Sequence, residues 1–166
     1  MTTVAFDGKT IACDSMLTVS SGEVSYKLHT NKFRLYSTSS TKILSILVGD
    51  IRGLTDNEDR ISRGEPPVFP KRKSADRYDS TIITVQDGVV TLYSSHRDVP
   101  EVITTVDALG SGEHIARTVL LLGGSAGQAV AASIAIDTFS GGAVHEWDVN
   151  TLAYTKNGAK VPWIVR

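Results

Sequence analysis

Cysteine is almost missing from this chain. Cys13 stands alone among 166 residues, so an internal disulfide framework and a cysteine-rich metal centre are both excluded. Excess charge is missing too. Lys and Arg total 17 against 18 Asp and Glu, and a net charge of -1 gives no general attraction for nucleic acid or an anionic membrane surface. No apolar run approaches the ~20 residues that cross a bilayer. Met1-Thr2-Thr3-Val4 enters an apolar segment directly, with no basic leader and no long hydrophobic stretch of a signal peptide. His29, His96, His114 and His145 are scattered, without metal-ligand spacing, so neither a metal nor a cofactor is expected. With 41% hydrophobic and 21% charged residues, the chain can bury a core. Its length suits one domain, residues 1–166, and a reducing cytosol fits best.

Hairpin signals dominate the pattern. Thr3–Phe6 and Thr10–Cys13 flank Asp7-Gly8; Met16–Val19 and Val24–Lys27 flank Ser20-Ser21-Gly22; Thr81–Val85 and Val89–Ser94 flank Asp87-Gly88. Lys32–Tyr36 alternates, and Ile43–Val48 is continuously apolar, as a strand buried on both faces should be. A short helix is expected within Ile51–Ile61. Arg63 to Asp79 holds three prolines and the basic run Lys71-Arg72-Lys73, and reads as a long loop that is functional or mobile. Val106–Leu109 leads through Gly110-Ser111-Gly112 into a helix over Glu113–Leu122, with Ile115, Val119 and Leu122 on one face. Ser125 and Gln128 form a capping box for a second helix, Ala126 to Ile136. Strands return at Val144–Asp148 and Thr151–Lys156, and Asn157-Gly158 turns into Val161–Val165. This order gives an α+β fold with mainly antiparallel sheets and helices laid on them.

The N-terminus is the first place to look for chemistry. The small residue Thr2 favours removal of Met1, which leaves a threonine carrying its own base. A free α-amine has a reference pKa of roughly 7.7–8.0, so much of it is neutral near pH 7.5 and able to take the hydroxyl proton.

Further blocks carry a family resemblance. Thr2-Thr3-Val4, the hairpin, and Ala12-Cys13-Asp14-Ser15 resemble the opening of proteasome β-subunits and the bacterial HslV peptidase. Asp137-Thr138-Phe139-Ser140-Gly141-Gly142-Ala143-Val144 is similar to the family motif Asp-x-Tyr-Ser-Gly-Gly-x-Val. Gly110-Ser111-Gly112 matches its Gly-Ser-Gly helix opening, and Asn31-Lys32-Phe33-Arg34-Leu35 its lysine segment. The blocks stand in family order across nearly the whole chain.

The resemblance implies an N-terminal-nucleophile (Ntn) hydrolase: a four-layer αββα sandwich of two antiparallel sheets between helices, acting as a threonine-type endopeptidase. Thr2 would be the nucleophile, Lys32 a buried cation beside it, and Asp14 the partner that keeps Lys32 charged. Gly49 N–H would donate to the oxyanion, and Ser111, Asp137 and Ser140 would surround the Thr2 amine. Lys27 competes with Lys32 in this short region, and the oxyanion glycine is fixed only to within a position. The family also implies a homo-oligomeric ring, polypeptide substrates and a separate AAA+ ATPase unfoldase, since this chain has no P-loop. Two features depart from the family pattern. Met16 stands where a basic or amide residue is common, and Gly49 to Thr81 is about half the length found in HslV. A divergent bacterial or phage-like homologue would suit that shortening.

Two rival readings remain. Gly123-Gly124-Ser125-Ala126-Gly127 is a G-x-S-x-G sequence that Asp137 or Asp148 and His145 could complete as a serine hydrolase. Only 41 residues follow Ser125, too few for the strands such a triad needs. A catalytically inactive structural β-type ring subunit is the other alternative, although it need not keep Thr2, Asp14 and Lys32 together.

Overall fold

The computed structural model describes residues 2–21, 24–29, 31–71, 73 and 75–161, with backbone alone at 17–21, 24–29 and 159–161. The strands are β1 (Thr3–Phe6), β2 (Thr10–Cys13), β3 (Met16–Ser21), β4 (Val24–His29), β5 (Phe33–Ser37) and β6 (Lys42–Gly49). Helices α1 (Arg52–Thr55) and α2 (Glu58–Ser62) precede β7 (Ser80–Gln86), β8 (Val89–Ser94), β9 (Glu101–Ile103) and β10 (Asp107–Gly110). Then come α3 (Glu113–Leu121), α4 (Ala126–Ile136), β11 (His145–Asp148), β12 (Tyr154–Lys156) and β13 (Ala159–Val161). One sheet runs β10-β1-β2-β11-β12-β13, the other β5-β6-β7-β8-β9, and β3-β4 forms a separate ribbon. Every pairing is antiparallel.

Strand alternation builds the layers. On β1 and β2, Val4, Phe6, Ile11 and Cys13 face the second sheet and meet Leu35, Leu44, Ile46, Ile83 and Val85. The intervening Ala5 and Ala12 face the other way, where Ala116, Leu120, Ala126, Ala129 and Val130 of α3 and α4 cover them. Small residues on both sides let the helices lie close. Beyond the second sheet, Ile43, Leu47 and Ile82 are covered by Leu54 of α1 and Ile61 of α2. This is the αββα sandwich, helices outside and a sheet-on-sheet core between.

Two-residue turns close β7–β8 and β12–β13. Gln86 pairs with Val89 and Lys156 with Ala159, and both central residues have positive φ (Asp87 51° and Gly88 76°, Asn157 49° and Gly158 81°). The β3–β4 strands continue through Ser20 and Ser21, where a turn was expected, and Gly22 lies outside the described residues. The strand expected over Val161–Val165 begins earlier, at Ala159, and residues 162–165 lie outside the described set. Thr151 and Leu152 belong to the β11–β12 turn rather than to β12, with Leu152 at φ 55°.

Three other expectations are corrected. The segment after β6 forms two one-turn helices, broken at Asp56-Asn57, instead of one. Helix α3 buries Ala116 and Leu120, which lie four residues apart, while Leu122 is 84% exposed just past its end. The proline-rich stretch is tied down. Buried Asn57 donates to Gly53 C=O (2.8 Å) and accepts from Val68 N–H (2.7 Å), and Phe69 packs on the α1–α2 core. Arg72 of the basic run lies outside the described residues.

Candidate active site

β1 enters between β2 and β10, which buries its first residues. Thr2 is 1% exposed and Thr3 is fully buried. Ser111 N–H donates to Thr2 C=O (3.2 Å), and Thr3 N–H donates to Asp14 Oδ1 (3.0 Å). The Thr2–Thr3 peptide is thus held at both ends, by the β10–α3 junction on one side and by Asp14 on the other. Gly110 permits the approach. Its φ is +98°, and a Cβ there would collide with Thr2 C=O.

Asp14 follows β2 and is fully buried. Its Oδ1 takes Thr3 N–H and its Oδ2 takes Gly141 N–H (2.9 Å). Lys32, just ahead of β5, is 1% exposed. Burial pushes the Asp14 carboxyl up, opposed first by the Lys32 charge and then by the N–H groups of Gly141, Thr3 and Met16. Burial pushes the Lys32 ammonium down, opposed by Asp14. The two are therefore electrostatic partners, each charge partly offsetting the desolvation of the other. The side chain of its rival, Lys27, lies outside the described set, and its backbone sits in β4.

Gly49 ends β6. Leu47 N–H donates to Lys32 C=O (2.8 Å) on the β5 side, and Asp50 N–H donates to Asp79 C=O (2.8 Å) on the β7 side. Strand alternation turns Gly49 N–H to the side of Lys32, beyond the start of β5.

The second arm comes from the far end of the sequence. Ser111 Oγ and Ser140 Oγ both donate to Asp137 Oδ2, each at 2.6 Å. Burial acts to raise the Asp137 carboxyl, but the Ser111 and Ser140 hydroxyls, Phe139 N–H and the N-terminal charge together leave its pKa below the ordinary carboxylate value. The structure thus joins Ser111, Asp137 and Ser140 in one cluster, and joins that cluster to Thr2 through Ser111 N–H.

Thr3 and Gly141 are the participants that sequence reading passed over. Thr3 Oγ contacts Ser140 Oγ (2.6 Å) and accepts from Gly112 N–H (3.0 Å). Gly141 stands in the sequence only as a member of the Asp137–Val144 motif with no role of its own, yet its N–H binds Asp14 and its C=O accepts from Ser15 N–H (3.1 Å). The signal for Thr3 was its place beside Thr2 on the alternate face of a strand. Met16 is buried against Gly141, where a Cβ would come within 2.8 Å of its Sδ.

Ser125 does not belong to a site. It is exposed and caps α4, accepting from Gln128 N–H (3.2 Å) while Gln128 Oε1 accepts from Ser125 N–H (2.9 Å). Its supposed partners are elsewhere. Asp148 caps the β11–β12 turn through Asn150 and Thr151 N–H. His145 lies in the sheet-on-sheet layer, its ring 4.9 Å from Phe33 and its Nδ1 bonded to Tyr154 Oη (2.6 Å), on the face of the sheet away from α4. Its Nε2 has no partner among the described residues. Those residues also hold no metal-ready cluster of His, Cys, Asp or Glu and no helix long and apolar enough to cross a membrane.

No protein-family model matches the sequence, and no curated protein matches it. Solved structures do. HslV from Trypanosoma brucei superposes with a TM-score of 0.60 at 18% identity, over 89% of this chain and 99% of that one. BPH from Thiobacillus denitrificans in complex with epoxomicin gives 0.58 at 14% identity, over 88% and 96%. A second BPH structure gives 0.59 at 15% identity, over 88% and 95%. At such identities the likeness is one of architecture, and the chain has the fold of the HslV and proteasome β-type Ntn hydrolases.

Proposed function

We propose that this protein is a threonine-type endopeptidase whose nucleophile is Thr2, exposed as the N-terminal residue by removal of Met1. The observation that carries the reading is the clamped Thr2–Thr3 peptide, with a buried Asp14–Lys32 pair on one side and the Ser111–Asp137–Ser140 cluster on the other. The Thr2 amine takes the proton as Thr2 Oγ attacks the scissile carbonyl. The Lys32 ammonium favours the developing alkoxide, and Asp14 keeps that ammonium charged. Gly49 N–H donates to the tetrahedral oxyanion, a donor whose loss typically costs about 10²–10³ in rate. The same amine later returns its proton to the leaving nitrogen, and water releases the acyl group.

The family resemblance extends the proposal to assembly. A single-domain subunit of this type works in a homo-oligomeric ring in the cytoplasm, cleaving polypeptide that a separate AAA+ ATPase unfolds. The test starts from intact mass, which shows whether Met1 has gone. Protein with a free Thr2 should cleave peptides and gain the mass of an epoxyketone on its N-terminal peptide, and Thr2→Ala should do neither while staying folded. Full activity in Thr2→Ala sinks the reading, and an adduct on Ser125 favours the serine alternative.

A further inference from the structure

We propose that Thr3 is a positioning residue for the Thr2 chemistry, because its hydroxyl donates into the hydrogen-bond chain that ends on Asp137. The inference rests on the peptidase reading and deepens it. Donor counting fixes the protons of Ser111, Ser140 and Thr3. An ionised carboxylate only accepts, so Ser140 Oγ–H and Ser111 Oγ–H both point at Asp137 Oδ2. Ser140 has then spent its one proton, so the 2.6 Å contact with Thr3 must be donated by Thr3 Oγ–H. Thr3 Oγ in turn accepts from Gly112 N–H, and the Ser133 hydroxyl lies 3.1 Å from both the Gly112 and the Ala129 C=O. The result is one directed run, from the start of α3 through Thr3 and Ser140 to Asp137, in which each bond polarises the next.

Thr3 is also where the two arms of the site meet. Its N–H binds Asp14 Oδ1, and its C=O accepts from Asp14 N–H (3.2 Å). Asp14 thus grips its backbone and the Asp137 cluster grips its hydroxyl. Holding one residue from both sides fixes the peptide that links it to Thr2, and with it the direction in which the Thr2 amine and hydroxyl project. Thr3 itself is fully buried and faces the helices, away from Val4 and the sheet-on-sheet layer.

The test compares Thr3→Val, which keeps the shape and removes the hydroxyl, with Thr3→Ser, which keeps the hydroxyl. In processed protein, Thr3→Val should lower kcat about tenfold to a hundredfold, the cost of a misaligned reacting group, with KM unchanged. Thr3→Ser should recover kcat to within about threefold of wild type by restoring that alignment. If Thr3→Val does not fold, Thr3→Ala replaces it, since it leaves space rather than a methyl against Ser140. Wild-type kcat in the hydroxyl-free variant overturns the assignment, and so does equal damage in Thr3→Ser. A rise in KM alone also overturns it. Processed wild type that neither cleaves peptide nor accepts an epoxyketone instead defeats the underlying peptidase reading, and the Thr3 role falls with it.

Discussion

Asp14 and Lys32 are buried together, and neither charge is tolerable there without the other. Removing one partner of such a pair typically costs about 3–5 kcal/mol, whereas replacing both is often near neutral. Asp14→Asn and Lys32→Met should therefore each lower stability more than the double variant does, while all three abolish cleavage. Urea denaturation beside a peptidase assay checks this, and additive stability losses would show that the two do not act as a pair. His145 gives a second expectation. Burial, with Lys156 nearby, pushes its ring down to about 4, from 6.5 in the unfolded chain. Between those values the unfolded state binds the extra proton, so stability is full above pH 6.5 and falls as the pH drops towards 4. At roughly 1.4 kcal/mol per pH unit this reaches about 3 kcal/mol. His145→Gln, which can still bond Tyr154, should lose less stability than wild type between pH 7 and pH 4.5 in thermal melts. Equal losses would remove His145 from the account.

Helix α4 shows how a local signal can be read correctly for structure and wrongly for chemistry. Ser125 sits in a nucleophile-like sequence, but its hydroxyl is occupied by Gln128 N–H. Ser125→Ala should cost about 1 kcal/mol, the usual value of a helix cap, and leave peptide cleavage at the wild-type rate. Chemical denaturation and one kinetic assay decide it. The capping box and the Asp87-Gly88 and Asn157-Gly158 turns were legible because their physics is local: a side chain meets its own helix end, or two residues accept positive φ. The three-residue β9 was not legible, since Glu101 and Val102 are exposed and show no alternation. Nor was the buried face of α3, where Ala116 carries the contact that a larger residue was expected to make. The candidate site was legible residue by residue through the family pattern. Its wiring was not, because the bonds of Thr3, Gly112 and Gly141 depend on elements about 100 residues apart coming together.

The molecule as a whole leaves Leu121, Leu122, Ile136 and Phe139 exposed around α3 and α4. A ring places some apolar surface between subunits, and closed rings avoid the open filaments that head-to-tail contacts otherwise produce. Light scattering at low and high salt should give a mass that is a multiple of 17.8 kDa. A monomer at both salts with full peptidase activity would contradict the ring while leaving the Thr2 chemistry standing. The register of β1 has a consequence in time. Thr3 pairs with Gly110, so the strand that follows the proposed nucleophile cannot be completed until the chain has been made past residue 110. At about 5–20 residues per second, synthesis alone imposes a delay of several seconds or more. If Thr2 acts as proposed, a nascent chain carries no formed site until then, and β11, which pairs with β2 through His145 and Cys13, joins the same sheet later still. After dilution from denaturant, cleavage should return with the slowest folding phase, later than the bulk of the circular dichroism signal. Activity that returned first would mean the site assembles without β10.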